Sequence, residues 1–202
     1  MKIKICGLNP IKDVQLCIDL KVNFLGFIFY ERSPRNINLE DIKILSSYKK
    51  KCSSFVAVTV DPSDEFIKKN ILGSFDFIQL HGSETKDRVT EIKKKGLKVI
   101  KVIKVKQEQD IDKYKEYDNA DIVLFDTPGM EKSFEFPKNL IKKLPVGEKY
   151  ALAGSISEDN VENIFKLGVN FFDLSSNLES HLGCKDHLKI KNFIKKINEL
   201  KN

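Results

Sequence analysis

The chain has 202 residues, 41% hydrophobic and 32% charged, which suits one well-buried core and is short for two. No apolar run approaches the roughly 18 residues a membrane helix needs, and the first residues lack the apolar region and cleavage site of a signal peptide; a cytoplasmic protein with no membrane partner is expected. The net charge of +6 comes mostly from lysines scattered along expected helices (Lys93-Lys94-Lys95, Lys142-Lys143, Lys195-Lys196), which reads as a solvated surface and not a nucleic-acid arm.

Short apolar runs alternate with amphipathic stretches. Lys2 to Cys6 reads as a first strand, and Gly7 lets the backbone turn at once. A helix follows from about Pro10 to Lys21, then a wholly apolar strand over Phe24 to Tyr30. Leu39 to about Lys49 is an expected helix and Phe55 to Val60 a third strand, closed by Asp61-Pro62-Ser63, with a helix to about Leu72. Phe75 to Leu80 is a fourth strand; Ser83 is expected to cap the helix that ends at Gly96. Leu97 to Val105 is a fifth strand, followed by a polar helix near Asp110 to Tyr117. Ile122 to Phe125 is a sixth, ending in Asp126 and leading through Pro128 and Gly129 to a short helix after Pro137. Tyr150 to Ala153 is a seventh, with Ser157 expected as the next helix cap, and Phe171 to Leu174 an eighth. A last helix runs from about Asp186 to Leu200 with Ile190, Ile194 and Ile197 on one face.

Repeated strand–helix units of about 25 residues imply a parallel sheet. Eight of them with no linker imply one α/β domain over residues 1–202, a (β/α)₈ TIM barrel near the small end of its usual size range. A doubly wound open sheet is the second reading; it ranks lower because no G-x-G-x-x-G follows the first strand.

In a barrel the strand ends converge on one mouth, which would gather Cys6, His81, Asp126, Gly154 and Ser175. The four cysteines have no CxxC pair; Cys17 lies in an apolar helical pattern, and only Cys6 has a position that suggests chemistry. Alone it is more often a small buried hydrophobe. Lys4, two residues back on the same strand face, is expected to lower the thiol pKa from its usual value of about 8.5. Asp126 is either a capping group or a general acid/base. Gln79 and His81 share a face of the fourth strand; His81, His181 and His187 show no ligand spacing, so no metal site is expected. Arg35 follows the second strand as a solvated charge or as a fork for a carboxylate. Two late loops, Gly154-Ser155 and Ser175-Ser176-Asn177, together suggest phosphate binding.

Lys4-Ile5-Cys6-Gly7-Leu8, Leu25-Gly26-Phe27-Ile28-Phe29-Tyr30, Ser33-Pro34-Arg35, Gln79-Leu80-His81-Gly82, Leu152-Ala153-Gly154 and Asp173-Leu174-Ser175-Ser176 resemble, in order and at comparable spacing, the phosphoribosylanthranilate isomerases of tryptophan biosynthesis. The resemblance implies a (β/α)₈ barrel, an Amadori rearrangement of N-(5-phosphoribosyl)anthranilate, and no metal or organic cofactor. It puts the family's catalytic cysteine on Cys6, its catalytic aspartate on Asp126 and its anthranilate-contacting arginine on Arg35. It leaves Lys4, Gln79, His81 and Asp173 as substrate-binding candidates, in a monomer or homodimer. Three positions depart from the family pattern. Glu131 replaces a glycine in Gly129-Met130-Glu131-Lys132-Ser133-Phe134, Ser155 replaces the second glycine after strand seven, and Asn177 replaces the glycine after Ser-Ser. Asn tolerates left-handed backbone, so Asn177 is expected to keep that turn. Two other functions are weighed: a related sugar-phosphate isomerase, disfavoured because that chemistry commonly uses paired aspartates where Cys6 stands here, and a silent phosphate-ligand binder, which would not need Cys6 and Asp126 at one mouth.

Overall fold

The computed structural model describes residues 1–127 and 136–201. Eight parallel strands close into a barrel in sequence order: β1 (Lys2–Cys6), β2 (Phe24–Phe29), β3 (Ser54–Thr59), β4 (Phe77–Leu80), β5 (Lys98–Lys104), β6 (Ile122–Asp126), β7 (Tyr150–Ala153) and β8 (Phe171–Leu174). The open-sheet alternative is excluded by the pairing of β1 with both β2 and β8.

The register sorts the inward side chains into layers drawn from alternate strands, as barrels of this type pack. Phe24, Phe77, Ile122 and Phe171 form the floor, with Phe24 stacked on Phe171 at 5.1 Å and edge-on to Phe77 at 5.3 Å. Lys4, Val56, Ile100 and Ala151 lie above, then Gly26, Gln79, Leu124 and Asp173, then Cys6, Val58, Val102 and Ala153. His81, Asp126 and Ser175 continue the series at the rim. The opposite strand faces, among them Ile5, Leu25, Phe27, Phe55, Val99 and Phe125, pack under the helices in a larger cluster.

The helices before the sixth strand are shorter in α geometry than their sequence patterns predict, while the last helix keeps its expected span. α1 spans Val14–Asp19, and α2 (Ile42–Leu45) follows one 3-10 turn. α3 (Asp64–Phe66) continues into a π turn over Ile67–Ile71, and α4 covers Lys86–Lys94. α5 (Glu108–Ile111) passes into 3-10 geometry, and α6 (Lys138–Ile141), α7 (Val161–Lys166) and α8 (His187–Glu199) complete the set. Two expected caps are displaced. Thr85, not Ser83, receives the Arg88 N–H and caps α4, while the Asp61 carboxylate accepts the Ser83 N–H. Ser157 lies one turn before α7, its N–H bound by the Asn160 side chain. After β8 the chain makes an unpredicted hairpin, β9 (Glu179–His181) against β10 (Cys184–Lys185), before α8. Among the described residues no helix is long and apolar enough to cross a membrane.

Under the β4–α4 loop the Glu84 carboxylate, 5% exposed, accepts the N–H groups of Asp61 and Gly82 at 2.9 and 3.1 Å and the Lys101 ammonium at 2.7 Å. It ties the loops after β3 and β4 together and fixes the backbone next to His81. Glu84→Ala would leave Lys101 buried without a counter-charge, a loss of about 3–5 kcal/mol. At about 2–4 °C per kcal/mol for a chain of this size, thermal unfolding followed by circular dichroism should show a midpoint roughly 6–20 °C lower.

Candidate active site

β1 delivers Cys6 to the mouth because its period of two puts Lys4 and Cys6 inside the barrel and Ile3 and Ile5 outside. Room for both comes from the neighbouring strand: a Cβ added to Gly26 would lie 3.2 Å from the Cys6 sulfur and 3.2 Å from Lys4 Nζ. Gly7, at φ +74°, then turns the chain, and the Arg35 side chain lies so close that a Cβ at Gly7 would meet Arg35 Cδ at 2.6 Å.

Lys4 is fully buried, and both oxygens of Asp173 accept its Nζ, at 3.0 and 2.9 Å. Asp173 and Cys6 keep the ammonium charged against the penalty of burial. Lys4 does not by itself bring the thiol down. Burial pushes Cys6 up, Lys4 pulls it down by charge and hydrogen bond, and the Asp173 carboxylate adds to the rise. The expectation of a lowered thiol pKa is therefore corrected: burial outweighs the pull of a lysine that is itself held by a carboxylate.

Asp126 ends β6 at the rim. Burial, reinforced by the Asp173 charge, raises its carboxyl to about 7; the Thr127 N–H, Lys4 and Lys104 oppose that rise. His81 Nε2 stands 3.5 Å from Asp126 Oδ2. Burial and the charges of Lys104, Lys4 and Lys101 lower the His81 pKa to about 4, so the imidazole is neutral near pH 7. Gln79 is 2% exposed on the same strand face, and its Oε1 has no hydrogen-bond partner among the described residues.

The two late loops are joined: Asn177 Nδ2 donates to the Ile156 carbonyl at 2.9 Å, and Ser175 Oγ donates to the Cys6 carbonyl at 3.2 Å. Gly154 has φ +102°. The non-glycine residue in left-handed backbone here is Ser155, at φ +47°, whereas Asn177 lies in the 3-10 turn Ser176–Leu178. The Ser155 hydroxyl is buried and unpartnered among the described residues. The loop carrying Gly129 and Glu131 lies outside the described residues.

Arg35 is not a free fork. Its Nε and Nη2 donate to the two oxygens of Glu179 at 2.6 and 2.8 Å. Lys185, wholly buried along its side chain, donates to the same carboxylate at 2.8 Å and to the Ser175 carbonyl at 3.2 Å. Despite burial, which opposes it, these hydrogen bonds take Glu179 down to about 2. Sequence reasoning missed Glu179 and Lys185; their only signal was the glycine-centred run Glu179–Lys185, whose Gly183 (φ +80°) makes the hairpin turn.

A family model described as N-(5'phosphoribosyl)anthranilate (PRA) isomerase matches residues 3–196. The chain belongs to this isomerase family. Among the family's curated N-(5'-phosphoribosyl)anthranilate isomerases, that of Petrotoga mobilis is 35% identical over all of this chain and 99% of its own length. That of Aquifex aeolicus is 37% identical, with 97% of this chain and 98% of its own covered. The Thermotoga maritima isomerase structure superposes with a TM-score of 0.87 at 27% identity, covering 98% of this chain and 99% of its own. A second isomerase structure, solved with reduced 1-(o-carboxyphenylamino)-1-deoxyribulose 5-phosphate, gives 0.84 at 27% identity with the same coverage. The chain is thus an isomerase of tryptophan biosynthesis built as a (β/α)₈ barrel.

Proposed function

We propose that this isomerase converts N-(5-phosphoribosyl)anthranilate to 1-(2-carboxyphenylamino)-1-deoxyribulose 5-phosphate with Asp126 as general acid and Cys6 as general base. The observation that carries the reading is the meeting, at one mouth, of a carboxyl held protonated to about 7 and a thiol flanked by cations, in a chain that matches the family from end to end. The acid protonates the ribose ring oxygen and the ring opens to an iminium. The thiolate takes the proton from the neighbouring sugar carbon, and the enolamine tautomerises to the ketone. A proton passing from thiol to carboxylate through solvent at the mouth resets the pair. Each demand is the reverse of solution behaviour, since Asp is normally ionised and Cys mostly is not at pH 7.

The ligand for the Gly154-Ser155 and Ser175-Ser176-Asn177 loops is the substrate phosphate. Gln79, whose Oε1 has no partner among the described residues, and His81 line the sugar position, and the buried Lys4 and Asp173 close the site from below. Arg35 meets the anthranilate carboxylate through Nη1, the edge that Glu179 leaves open. We place the protein in the cytoplasm as a monomer or homodimer, with a small-molecule substrate and neither nucleic acid nor membrane as partner; one related Thermotoga maritima structure is described as a dimeric isomerase made monomeric.

The test is anthranilate fluorescence: mixed with freshly made phosphoribosylanthranilate, the protein should make the signal fall with catalytic turnover. No change at high enzyme concentration would favour a silent phosphate-ligand binder or another aminosugar phosphate.

A further inference from the structure

Counting charge around Cys6 among the described residues gives an imbalance. Lys4 and Asp173, facing the thiol from β1 and β8, form an ion pair with no net charge. Arg35, from the loop after β2, and Lys185, from β10, carry two positive charges, and Glu179, from β9, supplies the single carboxylate that both of them hold. Across the mouth His81 is neutral above about 4 and Asp126 is at most an anion, while the Lys104 cation at the end of β5 acts on these two groups.

The surplus positive charge lies beside the backbone of Cys6 and Gly7. The Arg35 stem packs on Gly7, the residue after Cys6. Lys185 Nζ binds the carbonyl of Ser175, whose hydroxyl in turn binds the Cys6 carbonyl. The hairpin that brings Lys185 there is fitted to the Arg35 loop: a Cβ on Gly183 would lie 2.8 Å from the Pro34 carbonyl oxygen, and the Gly183 N–H approaches Glu179 at 3.3 Å. A buried cation without a full counter-charge is costly, and it stabilises whichever nearby group can become an anion.

We infer that Lys185, carried on the hairpin after β8, is a positioning residue whose unbalanced charge favours the Cys6 thiolate, with Glu179 setting how much of that charge the thiol feels. In the resting barrel burial lowers the Lys185 pKa, and Cys6 is among the groups that raise it again. Lys4 also draws the thiol down, from inside the barrel and against the opposing charge of its partner Asp173. The inference rests on the proposed role of Cys6 as base.

The experiment titrates the Cys6 thiolate by its ultraviolet absorbance, taking the difference between each protein and the same protein carrying Cys6→Ser, and runs the pH profile of kcat/KM in parallel. Lys185→Met should raise the midpoint of thiolate formation by about one to three pH units. Lys185→Arg should hold it near the starting value. Glu179→Gln, of nearly the same shape, should lower it, because both cations then act on the thiol undiminished. Opposite signs are the signature, since a scaffold role alone would not send the two variants in opposite directions. If Lys185→Met does not fold, the Glu179→Gln arm decides: an unchanged or raised midpoint overturns the inference, as does an unchanged midpoint in folded Lys185→Met. If the thiolate midpoints move as expected and the rising limb of kcat/KM stays fixed, Lys185 still governs the thiol and Cys6 is not the base.

Discussion

Asp126→Asn should lower kcat by about 10²–10⁴-fold, the usual worth of a positioned general acid, while the barrel unfolds at nearly the same temperature. The amide is close in shape and cannot release a proton to the ring oxygen. The pH dependence has a definite sign. In the parent protein Asp126 stays protonated up to about 7 because burial and Asp173 disfavour its anion. The acid form is therefore present below that value and disappears above it, giving kcat/KM a falling limb centred near pH 7. His81, titrating near 4, adds no limb in the neutral range. The residual activity of Asp126→Asn should lack the falling limb, as fluorescence assays across pH would record. A parent-like rate in this variant would remove Asp126 from the mechanism.

Cys6→Ala should be as damaging. No other thiol stands on the inner face: Cys17 is buried in α1 on the outside of the barrel, Cys52 is exposed on a loop, and Cys184 lies half-buried on the β9–β10 hairpin. Asp173, the carboxylate one layer below, is held by Lys4. A loss of about 10²–10⁴-fold in kcat is expected, with KM little changed because Arg35 and the loops proposed to hold the phosphate are untouched. Cys6→Ser should be nearly as inactive, since an alcohol is far less acidic than a thiol, which separates proton abstraction from mere packing. Single-turnover fluorescence at enzyme excess would reveal the residual rate, and activity within a few-fold of the parent in either variant would falsify the assignment of Cys6 as base.

Much of this was legible in the chain because barrel strands announce themselves. Phe24 to Phe29 and Ile122 to Phe125 are apolar on both faces, as strands packed inside and outside must be, and the residue ending each strand is where the mouth must lie. Cys6, His81, Asp126 and Ser175 fell into place from that rule alone. The helices were less legible. Segments such as Leu39–Leu45 and Glu108–Tyr117 carry helical periodicity yet pack as one α turn beside a 3-10 turn, a choice made by the barrel surface. The charge network was illegible for another reason. Arg35 and Glu179 are separated by 144 residues, and only the closed barrel makes them neighbours. The effect of Lys4 was misjudged because burial, which outweighs it, and its partner Asp173, 169 residues away, both follow from the closed barrel.

That same pair bears on how the chain reaches its final shape. β1 is made first and must wait for β8, the last strand of the barrel, before its lysine finds a carboxylate. A premature ring that set β1 against β7 would offer Lys4 only Tyr150, Ala151, Leu152 and Ala153, with no acid among them. The ammonium would be stranded in a greasy interior, a penalty of several kcal/mol. A barrel sealed one unit short would carry that penalty, and the full barrel does not. Completion waits for Asp173, so the first strand of the barrel gains its ion pair only once the eighth is in place.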